Sequence, residues 1–426
     1  MKHLIIILIT LSFVGISAAA QTSLPSSAVE DNSSFRPENM VVLQATVRDA
    51  QTRKRLANVN VYLPGSDIGT VTNGDGFFSL KIASEHLSKE LVFSCLGYAN
   101  TKVACQILCK EAEATVFLNP TSRVLREVTI LGGDARHLVD AALQRIEVNY
   151  ALHAHLLNMF YRETIMKGSR FVAISEGVVD VYKTGYQEQS VWKDRARLIR
   201  GRRLLNQKAQ DTLAVKIKGG PLQAIYMDII KNGDAIFDSE SINYYDFKHE
   251  HADMLNDRLH YVVSFKPHVV LDYPLYSGLL YIDTETLCLT RAELSLDVSD
   301  KEKVNRIVLK KKPLGLRFRC RESSVVVTYR RHGDRTCLDY MRNVIRFHCD
   351  WKRRLFSSAY SAVAEMVVVD IDHTPSSTIP SSQAYNDNQL FYDDAKEHWD
   401  EHYWRDYNII EPTESLEKAV LRLKKK

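Results

Sequence analysis

The chain has 426 residues, of which 45% are hydrophobic and 25% charged, with a formal net charge of +4. That balance is ordinary globular material, enough for two or three domains, and it excludes wholesale disorder. So small a charge on so long a chain gives no general attraction to nucleic acid, and membrane contact is expected to be peripheral at most.

The first twenty residues read as a secretory signal peptide. Lys2 and His3 make a short polar start, Leu4 to Ile16 is an almost unbroken apolar run, and Ser17 to Ala20 are small, which puts cleavage after Ala20. The run falls short of the ~20 residues a membrane-spanning helix needs. No cysteine follows the cleavage point to carry a lipid anchor. The mature protein is therefore expected outside the cytoplasm. Residues 21–39 hold Ser, Asn and Pro with few apolar anchors and read as a flexible leader.

From Met40 the pattern alternates. Val59, Val61 and Leu63 fall on one face of a strand, and "FFSLKI", "ELVFSCLGY" and "ATVFLNP" follow as short strands between turns. This spacing predicts a β-sandwich over residues 40–120. Its sharpest feature is "GSDIGTVTNGDGFFSL", with Gly65, Gly69, Gly74 and Gly76 as structural turn positions. Asp67 and Asp75 alone are too few carboxylates for a calcium loop. A phosphate loop would need a lysine and a following helix, whereas Phe77-Phe78 opens a strand. The stretch reads as a chain reversal, with one or both phenylalanines entering the core.

Residues 121–135 read as a linker, stopped by Gly132-Gly133. Asp134 is placed to cap a helix whose apolar face is Leu138, Ala142, Leu143 and Ile146 and which should run to about Asn149. Residues 136–380 are mostly strand-like. "FVAISEGVVDVY", "RLHYVVSFKP", "GLLYIDTETLCLTRAELSLDV", "GLRFRCRESSVVVTYRR", "TCLDYMRNVIRFHCD" and "AEMVVVDID" alternate between polar turns, and "PLQAIYMDIIKN" is predicted as a helix. The fold class is thus mainly β: a sandwich, then a large curved antiparallel sheet with helices packed at one side. An outer-membrane barrel is disfavoured, because Arg317, Arg319 and Arg321 charge one whole face of a strand. Residues 381–426 read as a C-terminal helical segment.

The seven cysteines, Cys95, Cys105, Cys109, Cys288, Cys320, Cys337 and Cys349, are odd in number and scattered. That argues against a disulfide framework and for small hydrophobes in apolar runs. Cys105 and Cys109 could pair or bind a metal, but no second close pair completes a zinc site.

With "NVNVYLPG", "IGTVTNGDGFFSL", "LVFSCLGY" and "VFLNP" in this order, residues 41–119 resemble the carboxypeptidase-regulatory-like domain, a transthyretin-like sandwich common in envelope proteins of Gram-negative bacteria. The resemblance rests on Gly65, Gly69, Thr72, Asp75, Gly76, Phe78, Gly97 and Tyr98. It implies an accessory module without catalytic residues of its own. It also implies a location in the periplasm, at the outer membrane or outside the cell. The remainder looks like the stand-alone secreted proteins that carry this module. Its β-rich part is similar, at the level of fold, to the half-barrels of periplasmic lipoprotein carriers.

Two patterns carry chemistry. His398, Glu401 and His402 fit H-x-x-E-H, in which two histidines four apart on a helix face one metal and the glutamate polarises a water. Against it stands a charged helix docking through Trp399, Tyr403 and Trp404. Lys193, Arg195, Arg197, Arg200, Arg202 and Arg203, beside Trp192, form the best candidate for contact with an anionic surface, and Lys352, Arg353 and Arg354 repeat it in short form. The alternative is a solvated strand and turn. Glu176 reads as an ion-paired or strand-edge acid rather than a general acid. No catalytic residue, metal or cofactor is assigned. The expectation is a non-enzymatic envelope protein that binds or scaffolds a protein, lipid or glycan. The alternative is a carrier or sensor holding a hydrophobic or glycan ligand on the concave face of the second sheet, with a zinc hydrolase behind both.

Overall fold

A computed structural model describes residues 40–121 apart from 112, 134–205 apart from 189, 215–351 apart from 234 and 235, 357–395 apart from 387 and 388, 407–414, and 418. The expected signal peptide and leader, nearly all of the expected linker, Lys352 to Arg354 and the H-x-x-E-H residues His398, Glu401 and His402 lie outside the described residues.

The N-terminal elements are β1 (Met40–Asp49), β2 (Asn60–Tyr62), β3 (Gly69–Val71), β4 (Phe77–Ala83), β5 (Glu90–Ser94), β6 (Thr101–Ala104), α1 (Cys105–Lys110) and β7 (Thr115–Leu118). They form two facing sheets, β4-β1-β7 and β3-β2-β5-β6. Alternation does what the sequence predicts, since Val59, Val61 and Leu63 are all fully buried between the sheets. Phe78 meets Phe93 edge-to-face at 5.4 Å in the same core, while Phe77 is only partly buried.

The reversal before β4 is built on Asn73 and Gly76. The Asn73 carboxamide accepts from the amides of Asp75 and Phe77, and Gly76 takes φ +72°. A Cβ on Gly76 would lie 2.8 Å from the Val47 carbonyl oxygen. Gly69 corrects the turn reading. It opens β3, and its bare Cα lets Arg330 close in, because an added Cβ would stand 3.0 Å from the Arg330 Nη1.

After α2 (Ala135–Gln144) and α3 (Ile146–Asn149) come β8 (His155–Lys167), β9 (Arg170–Lys183), β10 (Arg195–Leu205), β11 (Lys216–Ile217), α4 (Gln223–Tyr226), β12 (Tyr245–Leu255), β13 (Arg258–Pro267), β14 (Tyr276–Asp283), β15 (Leu289–Leu296), α5 (Lys301–Val308), β16 (Leu309–Lys311), β17 (Leu316–His332), β18 (Arg335–Trp351), β19 (Ser358–Asp372) and α6 (Phe391–Asp394). Ten of the strands form one antiparallel sheet in the order β10-β9-β8-β19-β18-β17-β15-β14-β13-β12, and β11 pairs with β16. Asp134 caps α2 as its sequence position suggests, accepting from the Arg136 amide.

The helix expected over Pro221 to Asn232 shrinks to the single turn of α4. Its cause is burial on every side. Asp228, Ile229, Ile230 and Lys231 are all buried in succession, which no amphipathic helix allows. Asp228 lies 2.8 Å from the Lys183 ammonium and accepts from the hydroxyls of Tyr186 and Tyr329, each at 2.9 Å. Lys231 donates to the Thr184 hydroxyl and the Gly185 carbonyl. This sealed network pins the segment to the sheet, since leaving any member unpaired would strand a buried charge.

The two faces of the large sheet have different jobs. On the outer face Val71 of the sandwich packs with Phe160, Val178, Tyr340, Val367 and Ile410. Asp67 of the sandwich is flanked by His332 and by His373, and Arg330 stacks over Tyr62 with 5.4 Å to the ring centre. Residues 407–413 run without helix or strand between sandwich and sheet. Asn73 donates to the carbonyls of Glu411 and Pro412, Lys81 to that of Tyr407, and Arg162 to that of Ile410. The inner face carries the helices and the main core.

Candidate functional site

A cavity of about 660 Å³ opens on the inner face, and the strand register explains why it is there. Three successive rows of inward-facing side chains cross β8, β19, β18 and β17. The first is Tyr161, Met366, Met341 and Val327, large side chains that fill the main core. The second is Glu163, Ala364, Asn343 and Val325, and the third is Ile165, Ala362, Ile345 and Ser323. Two consecutive inward positions on β19 are thus alanine, and the floor drops away beneath them. Beyond the third row Phe347 and Phe318 meet at 5.0 Å with tilted rings, in a separate apolar cluster that starts at Ile345. The cavity is the gap between two cores.

Its roof is assembled from short elements. Val215 and Ile217 enter from β11 and its approach, Leu222, Tyr226 and Met227 from around α4, Ile307 and Val308 from α5, and Leu390 to Tyr392 from α6. The Asp300 side chain caps α5 by accepting from the amides of Glu302 and Lys303. The α6 segment is seated by two glycines. Gly177 and Gly201 are direct partners across β9 and β10. A Cβ on Gly177 would sit 2.9 Å from the Phe391 ring, and one on Gly201 would sit 2.7 Å from the Ala395 Cα. Phe391 then meets Tyr161 edge-to-face at 4.6 Å.

The second row supplies two polar groups to the cavity, Glu163 and Asn343. Glu163 accepts from the Gly220 amide at 2.9 Å and from the Tyr161 hydroxyl. Burial pushes its carboxyl above the usual range, opposed by those two hydrogen bonds. Asn343 donates to the Gln223 carboxamide at 3.1 Å, tying floor to roof. Its side-chain oxygen is buried and has no partner among the described residues. Three lysines stand in the wall, and each ammonium already serves the roof. Lys216 pairs with Asp393 at 3.7 Å, Lys218 donates to the Arg306 carbonyl and Lys310 to that of Gln389. Thr164 and Ser323 add hydroxyls, and the greater part of the wall is apolar.

The basic run lies on β10 and the turn before it, and all six side chains have intramolecular partners. Arg202 and Arg162 grip the fully buried Glu176 from either side, and burial of that acid is outweighed by the two guanidiniums, which hold its carboxyl below the usual range. Arg197 pairs with Asp180 at 2.8 Å. Arg203 stacks over Tyr392 with 4.0 Å to the ring centre and donates to the carbonyls of Tyr392 and Asp393, so it holds the roof. Lys193 lies 3.5 Å from Glu188, Arg195 donates to the carbonyls of Trp192 and Asp194, and Arg200 donates to that of Ile199. Trp192 is 81% exposed. Glu176 is ion-paired, one of the two roles its sequence context suggests.

All seven cysteines are free thiols, with Cys105 buried and Cys109 exposed on α1. Among the described residues no cluster of His, Cys, Asp or Glu could hold a metal ion. Among them, too, no helix is long and apolar enough to cross a membrane. The cavity residues Glu163, Gln223, Asn343, Ala362 and Ala364 were not singled out from sequence. A signal existed in β8, where the inward positions read Leu157, Met159, Tyr161, Glu163, Ile165, a lone acid in an apolar alternation.

Residues 43–130 match the family model described as CarboxypepD_reg-like domain, so the chain carries that module in its N-terminal part. No curated protein matches the chain in sequence. Among solved structures it is similar to a DUF1329 family protein from Desulfovibrio piger, at 11% identity and TM-score 0.23, over 55% of this chain and 93% of that one. It is similar to MucB, solved in complex with MucA(peri), at 12% identity and TM-score 0.17, over 56% and 98% of the two chains. A LolA superfamily protein from Nitrosomonas europaea matches at 9% identity and TM-score 0.19, over 61% and 100%.

Proposed function

We propose that this chain, with its CarboxypepD_reg-like module, is a non-enzymatic carrier of the Gram-negative cell envelope. It is exported by its signal peptide and holds one hydrophobic ligand on the inner face of its large sheet. The observation that carries this reading is the cavity of about 660 Å³ between two cores, floored by Ala362 and Ala364. A volume of that size falls within the ~300–1,000 Å³ of small-molecule sites. A scaffold would have its inner face filled, as the rows on either side are filled here.

A glycan would need a wall of hydrogen-bonding groups, and this wall is mainly aliphatic and aromatic, so a hydrophobic ligand is favoured over a glycan. The sandwich sits on the opposite face, clear of the cavity, as an accessory module would. The test is titration of the full chain with the apolar fluorophore N-phenylnaphthylamine. Saturable one-to-one enhancement that disappears in Ala362→Phe supports the carrier. Enhancement that never saturates, or survives in the variant, contradicts it.

A further inference from the structure

The basic run of β10 is engaged with partners inside the fold, but a second set of cations is not. Leu316, Phe318 and Cys320 of β17 are buried in the apolar cluster that holds Phe347, so Arg317, Arg319 and Arg321 alternate outward, and all three are exposed. Among the described residues none of these guanidiniums has a hydrogen-bond or ion-pair partner. The neighbouring strand adds little opposing charge. Arg317 stands across from Asp350 and Arg319 across from His348, while Glu322 is already paired with Arg346.

Just ahead of this row the chain turns tightly. The Leu316 amide donates to the Pro313 carbonyl and Gly315 takes φ +80°, a β-turn with Leu314 at its apex. Leu314 is 99% exposed. Lys311 and Lys312 come immediately before the turn, both exposed, and Lys312 donates to the neutral Leu316 carbonyl. The sandwich is seated elsewhere, on Arg330 and His332 near the far end of β17, about 40 Å away at ~3.3 Å per residue. A soluble polyanion would meet the arginines and gain nothing from Leu314. An anionic bilayer takes both, with the guanidiniums among the headgroups and the leucine below them.

We infer that the corner formed by Leu314 and the row Arg317, Arg319 and Arg321 docks this protein on the surface of an anionic phospholipid bilayer. The inference does not depend on the cavity holding a ligand. It would give a carrier its place of loading, since Ile307 and Lys310, just ahead of the turn, line the cavity.

The test is co-sedimentation of the full chain with vesicles of phosphatidylglycerol and phosphatidylcholine in equal parts, against vesicles of phosphatidylcholine alone. Binding to the anionic vesicles only, weakening as salt is added, is expected. Each cation at such a surface strengthens binding about five-fold, the equivalent of ~1 kcal/mol. Arg317→Gln, Arg319→Gln and Arg321→Gln together should therefore lower the affinity about a hundred-fold. Leu314→Ser should lower it about ten-fold. Lys54→Gln, Lys102→Gln and Lys110→Gln together remove the same charge from exposed positions on the sandwich and should leave binding unchanged. The replaced side chains are all exposed, so the fold does not rest on them.

No binding to the anionic vesicles overturns the inference, as does binding that persists in the arginine variant or a loss shared equally by the sandwich variant. Undiminished affinity in Leu314→Ser points to a soluble polyanion instead and overturns the assignment to a membrane.

Discussion

Replacing Ala362 by leucine adds three carbons to the cavity floor between Ile345 and Ile165. If the space above it is a true void, those carbons leave water without displacing protein. At about 0.8 kcal/mol per buried methylene, the ceiling on the gain is about 2.4 kcal/mol. Ala362 is only partly buried, so some of the added surface stays wet and the expected gain is about 1–2 kcal/mol. If the region were packed, the same change would force side chains off their rotamers and cost about 1–3 kcal/mol. The sign therefore discriminates. Equilibrium unfolding of both proteins in urea, with the free energy taken from midpoint and slope, reads it directly. Loss of stability in Ala362→Leu would refute the register argument for the cavity.

Gly76→Val is expected to destabilise by more than the ~1–2 kcal/mol of a left-handed backbone alone, because its Cβ would meet the Val47 carbonyl oxygen at 2.8 Å. An unchanged melting temperature would contradict the turn assignment. Glu176→Gln leaves Arg162 and Arg202 short of a buried carboxylate and should cost roughly 3–5 kcal/mol; an unfolding midpoint and slope in urea unchanged from wild type would count against the triad. Glu163→Gln should alter pH dependence. Burial raises the Glu163 carboxyl above 4.5 in the folded protein, so the stability it contributes is present below that value and is lost as pH climbs through the raised one. The glutamine variant cannot ionise and should gain on wild type as pH rises from 4.5 upward. Parallel stability curves would exclude this.

Much of the architecture was legible because period-two alternation and turn residues are local signals. The sandwich, the capped helix at Asp134 and the antiparallel character of the second part all follow from them. The failures came where local pattern yields to tertiary demand. Pro221 to Asn232 has a plausible helix start, but Asp228 and Lys231 are drawn into a buried network with Lys183, Tyr186 and Tyr329, partners that no window of sequence reveals. Gly69 resembles a turn glycine and instead makes room for Arg330, more than two hundred residues away. The helix α5 passed unnoticed although Asp300 and the Val304/Val308 spacing signal it. Gly177 and Gly201 were available as strand-interior glycines, a sign of close approach by another segment. What brought them to one place is the register of β9 against β10. The ion pairs of the basic run were equally hidden, since the partners of Arg197 and Arg202, Asp180 and Glu176, lie on the neighbouring strand. The cavity could not be foreseen, because two alanines on β19 matter only once Glu163 and Ile165 stand on one side of them and Asn343 and Ile345 on the other.

The central claim is that the cavity holds a hydrophobic molecule, and its most direct measurement is native mass spectrometry of the full chain purified from its own cells. The account predicts one non-covalent adduct per chain on the wild type, soluble in organic solvent on extraction, and its loss from Ala362→Phe purified in the same way. A wild-type chain that flies bare, or an adduct retained in full by Ala362→Phe, would contradict it.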